Sequence, residues 1–199
     1  MKEQKIIING HEAVDLGLSV KWATCNIGAE SPEEYGGYYA WGETEEKSNY
    51  DLSTYKWCDG SYNSITKYCT DSCYGRVDNK TVLDTEDDVA HVKWGGNWRI
   101  PTLDEIKELL EMCTWEWTTL NGVRGHKVTA PNGNSIFLPA TGGRYFSNSD
   151  CGGRGTEGEY QSSTLHKNRS DYAGSLYTCS GMWNMRSYGS RIYGYAVRP

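Results

Sequence analysis

Cysteine, histidine and carboxylate side chains are the groups in this 199-residue chain best able to do chemistry, and their spacing narrows what that chemistry could be. Cys69 and Cys73 stand close enough in sequence to share a zinc ion. No second Cys or His pair follows at finger-like spacing, so both read as buried or loop thiols. The seven cysteines (Cys25, Cys58, Cys69, Cys73, Cys113, Cys151, Cys179) are an odd number, which excludes a fully paired disulfide framework in a monomer. His11, His91, His126 and His166 share no local motif; His91 is expected in a short helix and His126 at a strand edge. The acidic run Thr85-Glu-Asp-Asp88 lacks the alternating Asp/Asn and Gly of a calcium loop. It precedes Val89, Ala90 and Val92, where carboxylates favour the positive end of a helix, so capping rather than metal binding is the expected role. No Ser-His-Asp order, phosphate-cradling glycine loop or metalloprotease helix occurs in its required context. These patterns predict neither catalysis nor a cofactor.

Recognition chemistry is better represented. Residues 160–199 hold six Tyr, seven Ser, four Gly and two Asn. Tyr offers a large amphipathic contact area with few rotatable bonds, and Ser, Gly and Asn offer adaptable hydrogen bonding, the mixture found in antibody-like paratopes. Arg169 and Arg186 beside these tyrosines resemble the Tyr/Arg enrichment of binding hot spots. The plainer alternative is that Tyr- and Ser-rich strands form the outward faces of an aromatic-rich sheet. The segment carries five basic residues (Lys167, Arg169, Arg186, Arg191, Arg198) against one acid, Asp171, while the whole chain is at −6. These charges are dispersed among Tyr and Ser on an acidic protein, so nucleic acid is not an expected partner.

The elements that must position these groups are partly visible. A length of 199 residues favours one domain, and eight Trp with fifteen Tyr against two Phe make the core lean on amphipathic rings. Residues 5–8, 20–24 and 38–41 read as strands, and Ser31-Pro-Glu-Glu34 as a short helical turn. Residues 42–79 lack a period and read as long irregular loops. Residues 103–113 form the clearest helix: Thr102 and Glu105 make a capping-box pattern, and Leu103, Ile106, Leu110 and Cys113 recur at helical spacing as a core stripe. Residues 126–130 and 135–138 flank Pro131-Asn-Gly133 as a hairpin, and 142–158 is a glycine-rich loop. Residues 176–179, 183–188 and 193–197 read as a strand meander. In 183–188 the alternation sets Asn184, Arg186 and Tyr188 on one face and Trp183, Met185 and Ser187 on the other. No apolar run approaches the roughly 20 residues that span a bilayer, and residues 1–9 lack a signal-peptide core, so no membrane insertion is expected.

The stretches VDLGLSVKWATCNIGA (14–29), YYAWGE (38–43), WGGNWRIPTLDEIKELL (94–110) and the ending YGYAVRP (193–199) together resemble the Fibrobacter succinogenes major paralogous domain of gut bacteroidete proteins, over nearly the whole chain. The resemblance implies an α+β, C-type-lectin-like fold of the kind shared with formylglycine-generating enzymes, as a single domain over 1–199. Its two helices flank small antiparallel sheets, its N- and C-terminal strands lie together, and long loops build the ligand face. The same fold serves the variable proteins of diversity-generating retroelements, and residues 160–199 resemble their rewritten segment. On that resemblance Leu176, Trp183, Gly194, Val197, Arg198 and Pro199 belong to the fixed scaffold. The displayed, ligand-binding set is His166, Asn168, Arg169, Asp171, Tyr172, Tyr177, Asn184, Arg186, Tyr188, Tyr193 and Tyr195. Gln161-Ser-Ser-Thr164 stands where related domains carry Trp-Ser-Ser-Ser, which makes Gln161 either a further variable position or a drifted one.

The resemblance also implies what to weigh against binding. Formylglycine-generating oxidases use a closely spaced C-terminal cysteine pair on copper, and here only the widely separated Cys151 and Cys179 are available. C-type lectins that bind sugar through calcium need Glu-Pro-Asn and Trp-Asn-Asp, whereas Pro131-Asn132 lacks the Glu and Asn184 is followed by Met185. The expected activity is therefore non-catalytic binding, without metal or cofactor, of a protein or glycan ligand on a cell surface, from a cell-surface or phage-virion location. A fixed-specificity surface adhesion or structural module is the alternative.

Overall fold

The computed structural model describes residues 5–146 and 151–199, and for 186–188 the backbone alone. The described residues form an α+β structure, mostly strand, with three small antiparallel sheets and two α-helices. The first sheet joins β1 (Ile6–Ile8), β2 (His11–Val14) and β3 (Trp22–Ala23). The second joins β4 (Thr114–Leu120), β5 (Val123–Thr129) and β6 (Ser135–Pro139), and the third β7 (Glu157–Leu165), β8 (Tyr172–Cys179) and β9 (Met182–Ser190).

Two of the tight hairpins are dictated locally. Asn9-Gly10 connects the pair Ile8↔His11, and Asn121-Gly122 connects Leu120↔Val123; all four residues have positive φ, from 46° to 86°. Asn-Gly adopts that conformation at low cost, and its twist matches the flanking strands.

Helix α1 (Val89–Trp94) follows a 3-10 turn at Thr85–Asp87 and is capped by Asp88, whose carboxylate accepts from the Ala90 and His91 amides at 2.9 and 3.2 Å. Helix α2 (Leu103–Met112) carries the expected capping box: Thr102 Oγ1 accepts from Glu105 N, and the Glu105 carboxylate accepts from Thr102 N. Its buried Ile106 and Leu109 pack with Leu16, Trp22, Trp115, Val128, Ile136, Leu138, Tyr160 and Leu176, so one helix face joins all three sheets. Each such side chain contributes about 1.5–3 kcal/mol on burial. Leu110 and Cys113, expected in the stripe, lie at its partly buried margin.

The two ends of the described chain meet through main-chain bonds from Ala23 N to Pro199 O (2.7 Å), Ile27 N to Val197 O (3.0 Å) and Tyr39 N to Tyr195 O (3.1 Å). Several expectations are corrected. Ser31–Glu34 is a non-helical turn, closed by Glu34 N to Ser31 O, because nothing continues the helical ladder after the Glu pair. The strands expected at 38–41 and 193–197 are single bridges, Tyr39↔Tyr195 and Tyr160↔Ala196 among them, where chain segments cross briefly. Strands β2, β4 and β7 were not anticipated. His126 lies in the central strand of its sheet and has no exposure, rather than at an edge.

Candidate functional site

The C-terminal segment begins its work inside the protein. Arg191 is fully buried: its Nε donates to Tyr55 Oη (2.7 Å), and its two terminal nitrogens donate to the carbonyls of Tyr68 (2.9 Å), Ser170 (2.8 Å) and Lys67 (3.0 Å). The guanidinium also lies 4.8 Å from the Trp41 ring centroid. One planar fork thereby fastens the region 42–79 to the C-terminal sheet, a task suited to five rigidly placed donors. Arg198 does the same at the chain ends, donating to Asn26 Oδ1 and to the carbonyls of Ala23 and Thr24. Gly194 belongs to this scaffold for a steric reason: a Cβ there would sit 2.5 Å from the Tyr50 ring.

Aspartates order the same loop region. The Asp78 carboxylate accepts from the amides of Tyr68, Cys69 and Lys80 at 2.8–3.1 Å. Asp84, Glu86 and Asp87 bring carboxylate oxygens within 4.8 Å of one another, the one such cluster among the described residues. The Lys67 ammonium sits among them, 2.6 Å from Asp84, 3.6 Å from Glu86 and 2.6 Å from Asp87. Burial works to raise the Asp87 carboxyl, but hydrogen bonds from Lys67, Tyr68 and Lys56 outweigh it and hold the group below its usual range. A side-chain cation thus fills the position a metal would take, and the cluster is a structural tie.

The residues expected to be displayed come together only in part. In the β7–β8 turn, Asn168 and Arg169 are exposed and His166 is half-buried. Arg169 forms a fork with Asp171, Nε to Oδ1 at 3.1 Å and a terminal nitrogen to Oδ2 at 2.6 Å, and lies 4.1 Å from the Tyr172 ring centroid. Asp171, expected to be displayed, is 4% exposed and holds Arg169 from within the protein. Burial, aided by nearby Arg169, lowers the His166 imidazole from its ordinary value.

Tyr172, Tyr193 and Tyr195 converge with two tyrosines from elsewhere, Tyr62 and Tyr145, around a pocket of about 280 Å³ that Glu159, Gly189 and Ser190 complete. Its walls are crossed rings: Tyr145 meets Tyr193 at 78° and Tyr195 at 72°, with centroids 5.1 and 6.1 Å apart. Burial, with the Tyr62 and Tyr172 phenols nearby, pushes the Tyr193 phenol above its ordinary value. Tyr172 and Tyr193 are half-buried, whereas Tyr195 is a buried wall. Tyr177 lies further along β8, its hydroxyl donating to Glu157 at 2.6 Å, and its ladder partner Asn184 is exposed. The Arg186 and Tyr188 side chains lie outside the described residues; the Arg186 backbone pairs with Ser175.

Four positions depart from expectation. Gln161 is buried and its amide donates to the Tyr39 carbonyl, making it an interior tie rather than a displayed residue. Trp183, expected in the fixed scaffold, is 38% exposed and lies parallel to Trp115 at 6.1 Å, over the edge of His126. Tyr62 and Tyr145 were missed because they lie outside the C-terminal composition, Tyr62 in the aperiodic region 42–79 and Tyr145 in the glycine-rich stretch 142–158.

All seven cysteines are free thiols. Cys151 Sγ accepts from an Arg154 nitrogen at 3.0 Å, and Cys179 ends β8. Among the described residues no helix is long and apolar enough to cross a membrane. Comparison of the chain with protein-family models, with curated proteins and with solved structures finds no match.

Proposed function

We propose that this chain is a non-catalytic binding protein whose recognition surface comprises the β7–β8 turn, the tyrosine pocket and the exposed residues 182–185 of β9, with Tyr177 of β8 buried beneath it. The observation that carries the reading is the convergence of Tyr62, Tyr145, Tyr172, Tyr193 and Tyr195 on one pocket, four of them with partly exposed rings, beside the polar side chains of Glu159 and Ser190. Crossed tyrosines supply apolar contact and hydroxyl donors at low entropic cost, which suits reversible recognition of a protein or glycan surface. The internal arginine ties support the division of labour that the resemblance implies: a C-type-lectin-like scaffold beneath a replaceable C-terminal display, as in retroelement variable proteins. Surface replacements away from core and caps usually change stability by about 0.5 kcal/mol or less, so such a display could be rewritten without unfolding its support.

The test has two arms. Arrays of cell-surface proteins and glycans are probed with the wild-type chain and with a Tyr62→Ala/Tyr193→Ala variant of matched melting temperature. Ligands bound by the first and lost by the second are expected; equal binding by both removes the pocket from the reading. Sequencing the encoding locus across a population then separates a diversified binder from a fixed adhesion module. Substitutions confined to adenine-templated codons within 160–195, beside a near-copy and a reverse transcriptase, are expected for the former, and an invariant 3′ end for the latter.

A further inference from the structure

The two edges of the β7–β8–β9 sheet are treated differently. Along β7 the main chain is covered: Gly142 N donates to Glu157 O, Ala196 N to Glu159 O, Gln161 N to Ala196 O, Leu83 N to Ser163 O, and Leu165 N to Thr81 O. Along β9, residues 182–185 pair with β8 and, among the described residues, with no other main chain. These four residues are all exposed, and three are large and apolar: Met182, Trp183 and Met185. The stretch contains no Lys, Pro or acid, the residues that ordinarily keep a bare edge from pairing. Strand β4, at the edge of its own sheet, carries exposed Thr114, Glu116 and Thr119 instead.

A bare strand edge states what it binds. It presents N–H and C=O groups in a fixed row, and an extended main chain running about 4.8 Å away satisfies them in register. A sugar ring has hydroxyls but no such row, and a helix has already used its main-chain groups. The edge is also continuous with the surface described above: Asn184 is the ladder partner of Tyr177, and the same strand runs on to Gly189 and Ser190 at the pocket.

We propose that residues 182–185 form a docking edge for an extended peptide segment of a protein partner. The segment adds a fourth strand to the sheet and seats apolar side chains at alternate positions against Trp183 and Met185. The inference rests on the recognition reading and deepens it by naming the ligand as a polypeptide.

The test uses a linear peptide selected on the full chain from a random displayed library, then synthesised in parent form and with N-methyl groups on one or the other alternate set of amides. One N-methylated set is expected to bind at least about tenfold more weakly, since blocking ladder bonds removes a kcal/mol-scale term each, while the other set retains affinity. Amide exchange at 182–185 should slow when the peptide binds, and both Met182→Lys and Met185→Lys should weaken binding without moving Tm. Failure to select any linear peptide overturns the proposal, as does binding indifferent to both N-methyl sets. A concentration-dependent dimer abolished by Met182→Lys also overturns it, by assigning the edge to a second copy. A peptide indifferent to N-methylation but lost in Tyr193→Ala would sink strand addition and leave the pocket reading intact. One lost in Met182→Lys but kept in Tyr62→Ala/Tyr193→Ala would support the edge and remove the pocket.

Discussion

Arg191 and Arg169 come from the same Tyr- and Ser-rich segment, and the fold uses them in opposite ways. Arg191 has no appreciable exposure and spends its donors on three carbonyls and one phenol, all belonging to other parts of the chain or to the next turn. Arg169 is exposed, held by one local carboxylate and laid over one ring. The first converts an aperiodic loop region into a fixed wall; the second offers a planar cation to whatever approaches. Residue type and local composition are the same in both cases, so what separates the buried arginine from the exposed one is the number of distant main-chain partners each side chain finds.

The sharpest way to break this contrast is to remove Arg191. Arg191→Ala leaves three carbonyls and a phenol without their donor and should cost about 3 kcal/mol or more, since each buried acceptor left unsatisfied carries a penalty of roughly 1–3 kcal/mol. Urea unfolding would read it, and protease cleavage within 42–79 should rise in parallel. A loss under about 1 kcal/mol would mean that the loop region is held by its aspartates instead.

The display side should answer with affinity rather than stability. Tyr193→Ala is expected to lower affinity for an array-identified ligand by about 2 kcal/mol or more, the scale of a hot-spot aromatic, with Tm nearly unchanged. Isothermal titration beside a thermal melt separates the two. A large fall in Tm would reassign Tyr193 to the scaffold.

His126 tests the junction between the two regions. It is fully buried, has no hydrogen-bond partner on either nitrogen among the described residues, and is ringed by Trp115, Trp117 and Trp183. Burial pushes its imidazole down from 6.5 to about 4. Between those values the unfolded chain binds a proton that the folded chain does not, so this contribution is complete above pH 6.5 and lost as pH falls. The slope should approach about 1.4 kcal/mol per pH unit in the middle of the window. Denaturant unfolding from pH 7 to 5 would measure it, and His126→Phe should flatten the dependence; an unchanged slope in that variant would assign it to other groups.

The smallest effect belongs to a purely local device. Thr102→Ala removes one half of the capping box and should cost about 1 kcal/mol in unfolding free energy while leaving ligand affinity unchanged.

Legibility followed the range of the forces involved. Helix α2 was legible because a capping box and an apolar stripe act within four residues of each other. Asn9-Gly10 and Asn121-Gly122 were equally local signals, and attention to them would have located β2 and β4; Trp115-Glu-Trp117 even carries the alternation. Strand β7 was hidden for a different reason. Its Glu159, Gln161, Ser162 and Ser163 are polar yet buried, and the Gln161 amide nitrogen and the Ser162 and Ser163 hydroxyls donate to the Tyr39, Gly174 and Pro101 carbonyls on other segments.

By itself the sequence determined the mixed helix-and-strand character, the capped helix and the Tyr- and Ser-rich C-terminal segment, because propensity, capping and composition act along the chain. Only the tertiary structure decided that Tyr62 and Tyr145 join Tyr172, Tyr193 and Tyr195, that Arg191 and Arg198 turn inward, and that residues 182–185 at the edge of the C-terminal sheet pair with no main chain but β8 among the described residues. Those outcomes depend on which carbonyls and rings meet across more than a hundred residues of intervening chain in several cases, and no local pattern encodes such meetings.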